Sequence, residues 1–140
     1  MNRHCMPGIK RQIDRTAGLR RVKDSTKDRN ESSIITGALG QLQIYKNQDT
    51  VIWYSRLLSG DIIISRGDKK YRVRGCEEGT ADFFAILNNG RTLWFEAKEG
   101  DGKQRDSQRE FQFVISQVDN NIYIVVKSVS DVIDAVEFFK

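Results

Sequence analysis

Two neighbouring apolar runs with charged ends constrain the fold of this chain most strongly. The first, residues 82–87, is headed by Asp82, the second ends in Glu96-Ala97-Lys98, and a polar turn of residues 88–91 separates them. This pattern predicts two strands joined by a tight turn. Because side chains alternate between the faces of a strand, Glu96 and Lys98 should point one way and Ala97 the other.

Charged side chains on one face of a very apolar strand need partners, because unpaired buried charges are costly. Asp82 on the neighbouring strand could meet Glu96 and Lys98, and the three residues predict a divalent-metal site. The plainer alternative is a salt bridge between Lys98 and an acid. The spacing Asp-x13-Glu-x-Lys does not decide between them, since it is a weak pattern alone.

Composition indicates one soluble domain in a reducing compartment. The chain has 140 residues, 39% of them hydrophobic and 30% charged, with no run long enough to span a bilayer. No secretory signal is recognisable, so we expect a cytoplasmic protein with Cys5 and Cys76 as free thiols. Two cysteines and His4 cannot supply a structural zinc site.

Positive charge is concentrated at the N-terminus. Residues 1–30 carry nine Lys/Arg against three Asp, whereas residues 31–140 carry fourteen Lys/Arg against sixteen Asp/Glu. We therefore expect a flexible basic N-terminal arm, residues 1–30, and one folded domain, residues 31–140. The arm could contact a phosphate backbone or simply aid solubility.

Helical spacing predicts a first helix over residues 31–46, with Asn30 as its N-cap. Its apolar face comprises Ile34, Ile35, Ala38, Leu39 and Leu42. Glu31 precedes that face by three and four residues, so it is a candidate additional metal ligand. The plainer alternative is that it serves only the positive end of the helix dipole.

The next segments predict β-structure. Residues 51–54 and 61–64 read as two strands or as one long bent strand. Residues 70–74 alternate, with Lys70, Arg72 and Arg74 on the face opposite Tyr71 and Val73. That basic stripe fits either an edge strand protected by charge or a ridge that binds nucleic acid.

Residues 104–118 again show helical spacing. The predicted apolar face is Phe111, Val114, Ile115 and Val118, and Ser107 with Glu110 has the spacing of a capping box. Gln108 should face inward, towards backbone groups or a substrate phosphate. Arg105 and Arg109 form a second basic stripe, for nucleic acid or solvent.

The end of the chain completes a βαβ unit. Residues 122–126 form a continuous β-branched run typical of a buried strand, which should lie parallel to the strand after residue 92. Ser128 and Asp131 then open a last helix. The chain is therefore expected to be an α/β protein.

This order of elements and motifs resembles the PD-(D/E)xK nucleases. More narrowly, residues 31–134 are similar to a stand-alone VRR-NUC domain, the virus-type replication-repair nuclease. The similarity is carried by Gly79-Thr80-Ala81-Asp82, Trp94-Phe95-Glu96-Ala97-Lys98, Gln108 and Tyr123-Ile124-Val125-Val126. One departure is Ala81, where the family usually has proline before the aspartate.

The resemblance implies a restriction-endonuclease-like core, a mixed β-sheet flanked by helices in the order α-β-β-β-α-β. It implies that Asp82, Glu96 and the Ala97 carbonyl bind Mg²⁺ or Mn²⁺, with Glu31 as the first-helix acid. It also implies that Lys98 activates or positions water and that Gln108 belongs to the site. No small-molecule cofactor and no membrane are expected.

The predicted activity is structure-selective cleavage of DNA, including branched DNA. The resemblance to stand-alone members implies a homodimer that can cut four-way (Holliday) junctions. Two active sites on one dimer would suit paired cuts on opposite DNA strands. The alternatives are a non-catalytic nucleic-acid-binding module on the same fold and an interaction domain whose acids and lysine form only salt bridges.

Overall fold

The computed structural model describes residues 31–140, so the predicted N-terminal arm and the predicted cap Asn30 lie outside the described residues. The described chain forms, in order, α1 (Glu31–Asn47), β1 (Val51–Arg56), β2 (Asp61–Arg66), β3 (Lys69–Arg74), β4 (Phe83–Leu87), β5 (Thr92–Ala97), α2 (Asp106–Ser116), β6 (Asn121–Val126) and α3 (Val129–Phe139). None of these helices is long and apolar enough to cross a lipid bilayer.

Four strands form a central mixed sheet in the order β1-β4-β5-β6. β4 runs antiparallel to β1 and β5, whereas β6 runs parallel to β5. A parallel pair needs a crossover connection, which α2 provides, so the predicted βαβ unit is confirmed. These directions place the C-terminal ends of β1, β5 and β6 beside the N-terminal end of β4. We call this edge of the sheet the C-terminal edge.

The core lies between one face of the central sheet and the helices α1 and α3. Alternate residues of β4 and β5 point into it, and the rings of Phe83 and Phe95 stack with centroids 4.8 Å apart. Each such buried side chain contributes about 1.5–3 kcal/mol. The apolar face predicted for α1 is confirmed, because Ile34, Ala38 and Leu42 are fully buried.

The last helix begins where the sequence predicts. Ser128 Oγ accepts a hydrogen bond from the Asp131 backbone N–H at 3.2 Å, and the Asp131 carboxylate accepts one from the Ser128 N–H at 3.1 Å. This reciprocal pair satisfies donors that a helix start otherwise leaves open. α3 is thereby fixed against β6, and Val132 and Val136 are fully buried.

The helix α2 differs from its prediction in two ways. It covers the opposite face of the sheet only over β6 and part of β5, so Val114 and Val118 remain exposed while Phe111 is half-buried. Its cap is not the predicted Ser107 and Glu110 pair. Instead the side chain of Gln108 accepts a hydrogen bond from the Arg105 backbone N–H at 2.8 Å.

The strands β2 and β3 do not join the central sheet. They pair antiparallel with each other, from Asp61 opposite Arg74 to Arg66 opposite Lys69. We call this two-stranded hairpin, residues 61–74, the ribbon. It leaves the body after β1 and returns before β4, so it is an insertion between two neighbouring strands of the central sheet.

Candidate active site

The C-terminal edge brings together the two acids that the sequence singles out. Phe83 pairs with Phe95 across β4 and β5, so Asp82 is the next residue opposite Glu96. The Asp82 backbone N–H donates to the Phe95 carbonyl at 3.0 Å, and Asp82 Oδ2 accepts from the Ala97 backbone N–H at 2.8 Å. Two carboxylates from adjacent strands therefore occupy one corner of the sheet.

Glu96 is the centre of a buried hydrogen-bond network. Its Oε1 accepts from Lys98 Nζ at 2.6 Å and from Gln108 Nε2. Its Oε2 lies 3.5 Å from the hydroxyl of Tyr123, the outer limit of a hydrogen bond. Glu96, Lys98 and Gln108 are 1%, 6% and 8% exposed, so three polar side chains share a site nearly closed to solvent.

Burial raises the pKa of both carboxyl groups above their ordinary values. For Asp82, the Ala97 N–H and the Lys98 charge oppose the rise, and the charge of Glu31 adds to it. For Glu96, the hydrogen bond from Lys98 opposes the rise in pKa, and the charge of Asp82 adds to it. The site thus holds two close negative charges that water compensates poorly.

Glu31 is the first residue of α1 and is exposed, so it does not share the buried face of that helix as expected. Its charge nevertheless raises the pKa of both Asp82 and Glu96. The start of α1 therefore lies close enough to the C-terminal edge for its acid to act on the site electrostatically.

Within the described residues, none of the five predicted basic side chains is hydrogen-bonded or ion-paired to Asp82 or Glu96. Lys70, Arg72 and Arg74 are exposed on the ribbon, where Arg72 pairs with Asp61. Arg105 and Arg109 are exposed at the start of α2. The guanidinium of Arg109 donates to the Gln104 carbonyl at 3.0 Å and to Asp106.

Two further residues, Tyr123 and Arg56, act on the site and are not among its predicted residues. Tyr123 approaches Glu96 and is hydrogen-bonded to Gln104, and burial raises the pKa of its hydroxyl. The charge of Arg56, at the end of β1, lowers the pKa of Asp82. The sequence signals for Tyr123 are its place in the motif of residues 123–126 that carries the family resemblance and its phenol within an otherwise aliphatic strand.

The donor set at this edge suits one hard divalent cation. Within residues 31–140, no group of three or more His, Cys, Asp and Glu side chains is arranged to hold a metal ion. The two carboxylates of Asp82 and Glu96 are oxygen donors of the kind that Mg²⁺ prefers, with water completing its shell. Burial raises the pKa of both carboxyl groups, and a bound cation would offset the cost of keeping them ionised there.

Comparison of the chain with protein-family models, with curated proteins and with solved structures gives no match.

Proposed function

We propose that this protein is a divalent-metal-dependent DNA endonuclease that hydrolyses phosphodiester bonds at the C-terminal edge. The observation that carries the proposal is the meeting of Asp82 and Glu96 on adjacent strands, with Lys98 Nζ 2.6 Å from Glu96 in a nearly closed site. Two acids and a lysine at one strand end are suited to metal-assisted phosphoryl transfer.

The order of the elements supports the same proposal. Without the ribbon and the last helix α3, the chain reads α1-β1-β4-β5-α2-β6. This is the α-β-β-β-α-β order of a restriction-endonuclease-like core. The pair Glu96 and Lys98 ends the third strand of the central sheet in chain order, and Gln108 lies on the following helix, as the PD-(D/E)xK resemblance implies.

Each side chain has a role that follows from its surroundings. Asp82 and Glu96 would hold Mg²⁺ or Mn²⁺, with the Ala97 carbonyl as the third protein oxygen. The bound ion would lower the pKa of water and neutralise charge on the reacting phosphate. Lys98 supplies the positive charge nearest to Glu96, and its ammonium can orient the attacking water or stabilise developing negative charge.

Gln108 positions the catalytic groups. Its amide nitrogen donates to Glu96 while its carbonyl oxygen accepts from the Arg105 N–H at the start of α2. One side chain therefore joins the carboxylate to the helix that follows it. Because Lys98 and Gln108 both bind Oε1, the Glu96 carboxylate is held in one orientation.

Cleavage of end-labelled DNA by the purified protein tests the proposal directly. Linear duplex, flap and four-way junction are compared in Mg²⁺, Mn²⁺ and EDTA, with the wild type and with Lys98→Ala. We expect cleavage that needs the metal and is lost in the variant. Paired cuts in the junction by a protein of dimeric mass would support the junction-resolving homodimer. Cleavage unchanged by both EDTA and Lys98→Ala would refute the metal-dependent site.

A non-catalytic nucleic-acid-binding module is the second candidate, and one observation favours it. Glu96, Lys98 and Gln108 already satisfy one another, and no buried side-chain polar atom in residues 31–140 lacks a partner. Such a closed network could be purely structural. This alternative predicts salt-sensitive DNA binding that EDTA leaves unchanged, with no cleavage of any substrate.

A further inference from the structure

The charge of the described chain divides between the ribbon and the rest of the protein. Residues 61–74 carry five Lys/Arg against two Asp, a net charge of +3. The remaining residues from 31 to 140 carry nine Lys/Arg against fourteen Asp/Glu, a net charge of −5. A positive projection on a negative body is the charge distribution expected of an element that approaches a polyanion.

The ribbon is also physically separate from the body. Every residue of β3 is exposed, and the main packing partner of each ribbon strand is the other strand. It is attached through a narrow base, where the Gly60 N–H donates to the Cys76 carbonyl at 3.0 Å and the Gly75 N–H donates to the Gly60 carbonyl at 2.8 Å. Six paired residues per strand give a length of about 20 Å.

The two faces of the ribbon have different chemistry. Cross-strand partners share a face, so Arg74, Arg72 and Lys70 project from one face, opposite Asp61, Ile63 and Ser65. The other face carries the pairs Ile62–Val73 and Ile64–Tyr71, with Arg66 and Lys69 at the tip. The aliphatic and aromatic pairs stabilise the hairpin itself. The first face presents three cations, of which Arg72 is paired with Asp61.

The base of the ribbon adjoins the candidate active site. The Leu57 N–H, one residue beyond β1, donates to the Asp82 carbonyl at 2.7 Å. The Cys76 N–H donates to the Leu58 carbonyl at 2.8 Å. Leu57, whose N–H is bonded to the Asp82 carbonyl, lies four residues before Asp61, the first residue of the ribbon. The base of the ribbon is therefore anchored beside the C-terminal edge.

We propose that the ribbon is a duplex-binding element that lies in the major groove of DNA beside the cleavage site. A two-stranded β-ribbon fits the major groove of B-form DNA, and the cations of β3 match the phosphates that border it. The deep, narrow major groove of A-form RNA does not admit such an element. The ribbon thus selects duplex DNA over duplex RNA. This inference rests on the proposed function and adds to it the element that holds the DNA substrate.

The test is DNA binding in EDTA, measured by fluorescence anisotropy over a range of salt concentrations. The probes are a labelled DNA duplex of about two helical turns (about 20 base pairs) and an RNA duplex of the same sequence. In EDTA the assay measures binding without metal-dependent cleavage. If the protein binds DNA through the ribbon but does not cut DNA in metal, this inference holds and the proposed function fails. If the protein without the ribbon still binds and cuts DNA as the wild type does, the proposed function holds and this inference fails.

Two full-chain variants probe the ribbon. In the first, Asn-Gly replaces residues 61–74, because Gly60 and Gly75 already have the backbone hydrogen bond of a four-residue turn. The second is Lys70→Gln/Arg72→Gln/Arg74→Gln. Its matched control is Lys46→Gln/Arg91→Gln/Lys140→Gln, which removes three cations near the opposite end of the sheet.

We expect the wild type to bind the DNA duplex more tightly than the RNA duplex. Both ribbon variants should lose about tenfold or more in DNA affinity, and the triple variant should lower the salt slope by about three. The control variant should change neither the DNA affinity nor the salt slope by a comparable amount. Equal affinity for the two duplexes, or undiminished DNA binding without the ribbon, overturns the inference. The inference is also overturned if a ribbon variant converts a dimer into a monomer whose DNA affinity per protomer is unchanged. The ribbon would then serve self-association.

Discussion

Lys98 Nζ donates to Glu96 Oε1 across 2.6 Å, and the two side chains are 7% and 1% exposed. A buried ion pair adds little net stability compared with apolar residues, but removal of one partner leaves an uncompensated buried charge. The pair is therefore a sensitive point for both stability and the proposed chemistry.

Lys98→Ala should lower the free energy of unfolding at neutral pH by about 3–5 kcal/mol and reduce metal-dependent cleavage by about 100-fold or more. Without Lys98, the already raised pKa of Glu96 rises further. The additional loss of stability is complete above the native pKa of Glu96 in the variant. It disappears as the pH falls below the native pKa of Glu96 in the wild type, which itself lies above the ordinary value of 4.5. Urea denaturation between pH 4 and pH 8 measures this dependence, with exposed Lys103→Ala as the control. A stability loss that is independent of pH would contradict the explanation.

Asp82→Asn should make the protein more stable and less able to bind metal. Burial raises the pKa of Asp82, so its ionised form costs stability, fully above the native pKa and not at all below the ordinary value of 3.8. An asparagine keeps an oxygen that can accept from the Ala97 N–H without carrying the charge. The stabilisation should be about 1 kcal/mol at pH 7, measured as a higher melting temperature.

Metal provides the second measurement on the same variant. Mn²⁺ or Mg²⁺ should raise the melting temperature of the wild type, because a ligand that binds only the native state stabilises it. The same metal ions should leave the melting temperature of Asp82→Asn unchanged. Asp134→Asn, at an exposed position of α3, is the control and should respond to metal as the wild type does. An equal response in both variants would remove Asp82 from the metal site.

Substitution of Gln108 should reduce cleavage as well as stability. Gln108→Leu removes one donor to Glu96 and the acceptor of the Arg105 N–H, which should cost about 1–3 kcal/mol. Gln43→Leu is a matched control, since Gln43 also bridges two partners, Tyr54 and Asn47, but on α1. Both variants should lose stability in urea denaturation, and only Gln108→Leu should also lose cleavage. Similar activity in the two would make Gln108 a purely structural residue.

Tyr123→Phe should weaken metal binding by about tenfold while leaving stability nearly unchanged. The hydroxyl faces Glu96 Oε2, on the side of the carboxylate away from Lys98, and is also hydrogen-bonded to Gln104. Calorimetric titration with Mn²⁺ measures the affinity. Tyr54→Phe removes a comparable hydroxyl whose partner is Gln43 and should bind Mn²⁺ normally. Equal affinities in the two variants would exclude a role for Tyr123 at the site.

Local patterns in the sequence were sufficient for most of the fold and for the centre of the site. Alternation in β4 and β5 placed Asp82, Glu96 and Lys98 correctly, because the side-chain period of a strand is fixed by its geometry. Helical spacing likewise located the buried face of α1.

The remaining features depend on non-local pairing. Ile62, Ile63 and Ile64 resemble a core strand, but their partner is the hydrophilic β3, so Ile63 and Ile64 are exposed. Tyr123 reaches the site only because the parallel register places it opposite Trp94, two residues before Glu96. Neither register is encoded in a short window of sequence, since it is set by contacts between distant strands.

Gly79 links the turn before Asp82 to the helix that carries Gln108. Its φ of +90° is a conformation that residues with a side chain rarely adopt, and a Cβ at this position would lie 2.8 Å from Ser107 Cβ and still closer to the Ser107 carbonyl. Gly90 has a φ of +87° with nothing within 4 Å of such a Cβ. Gly90→Ala therefore measures the backbone strain alone, about 1 kcal/mol.

Gly79→Ala adds a collision with the first turn of α2 to the same strain. It should destabilise the protein by at least about 1 kcal/mol more than Gly90→Ala, because a packed backbone yields little. The displacement of Ser107 should also move Gln108 away from Glu96, so cleavage should fall even where the protein remains folded. Parallel urea denaturation and cleavage assays on the two variants separate these effects. Equal losses in both would show that the contact between Gly79 and α2 does not position the site.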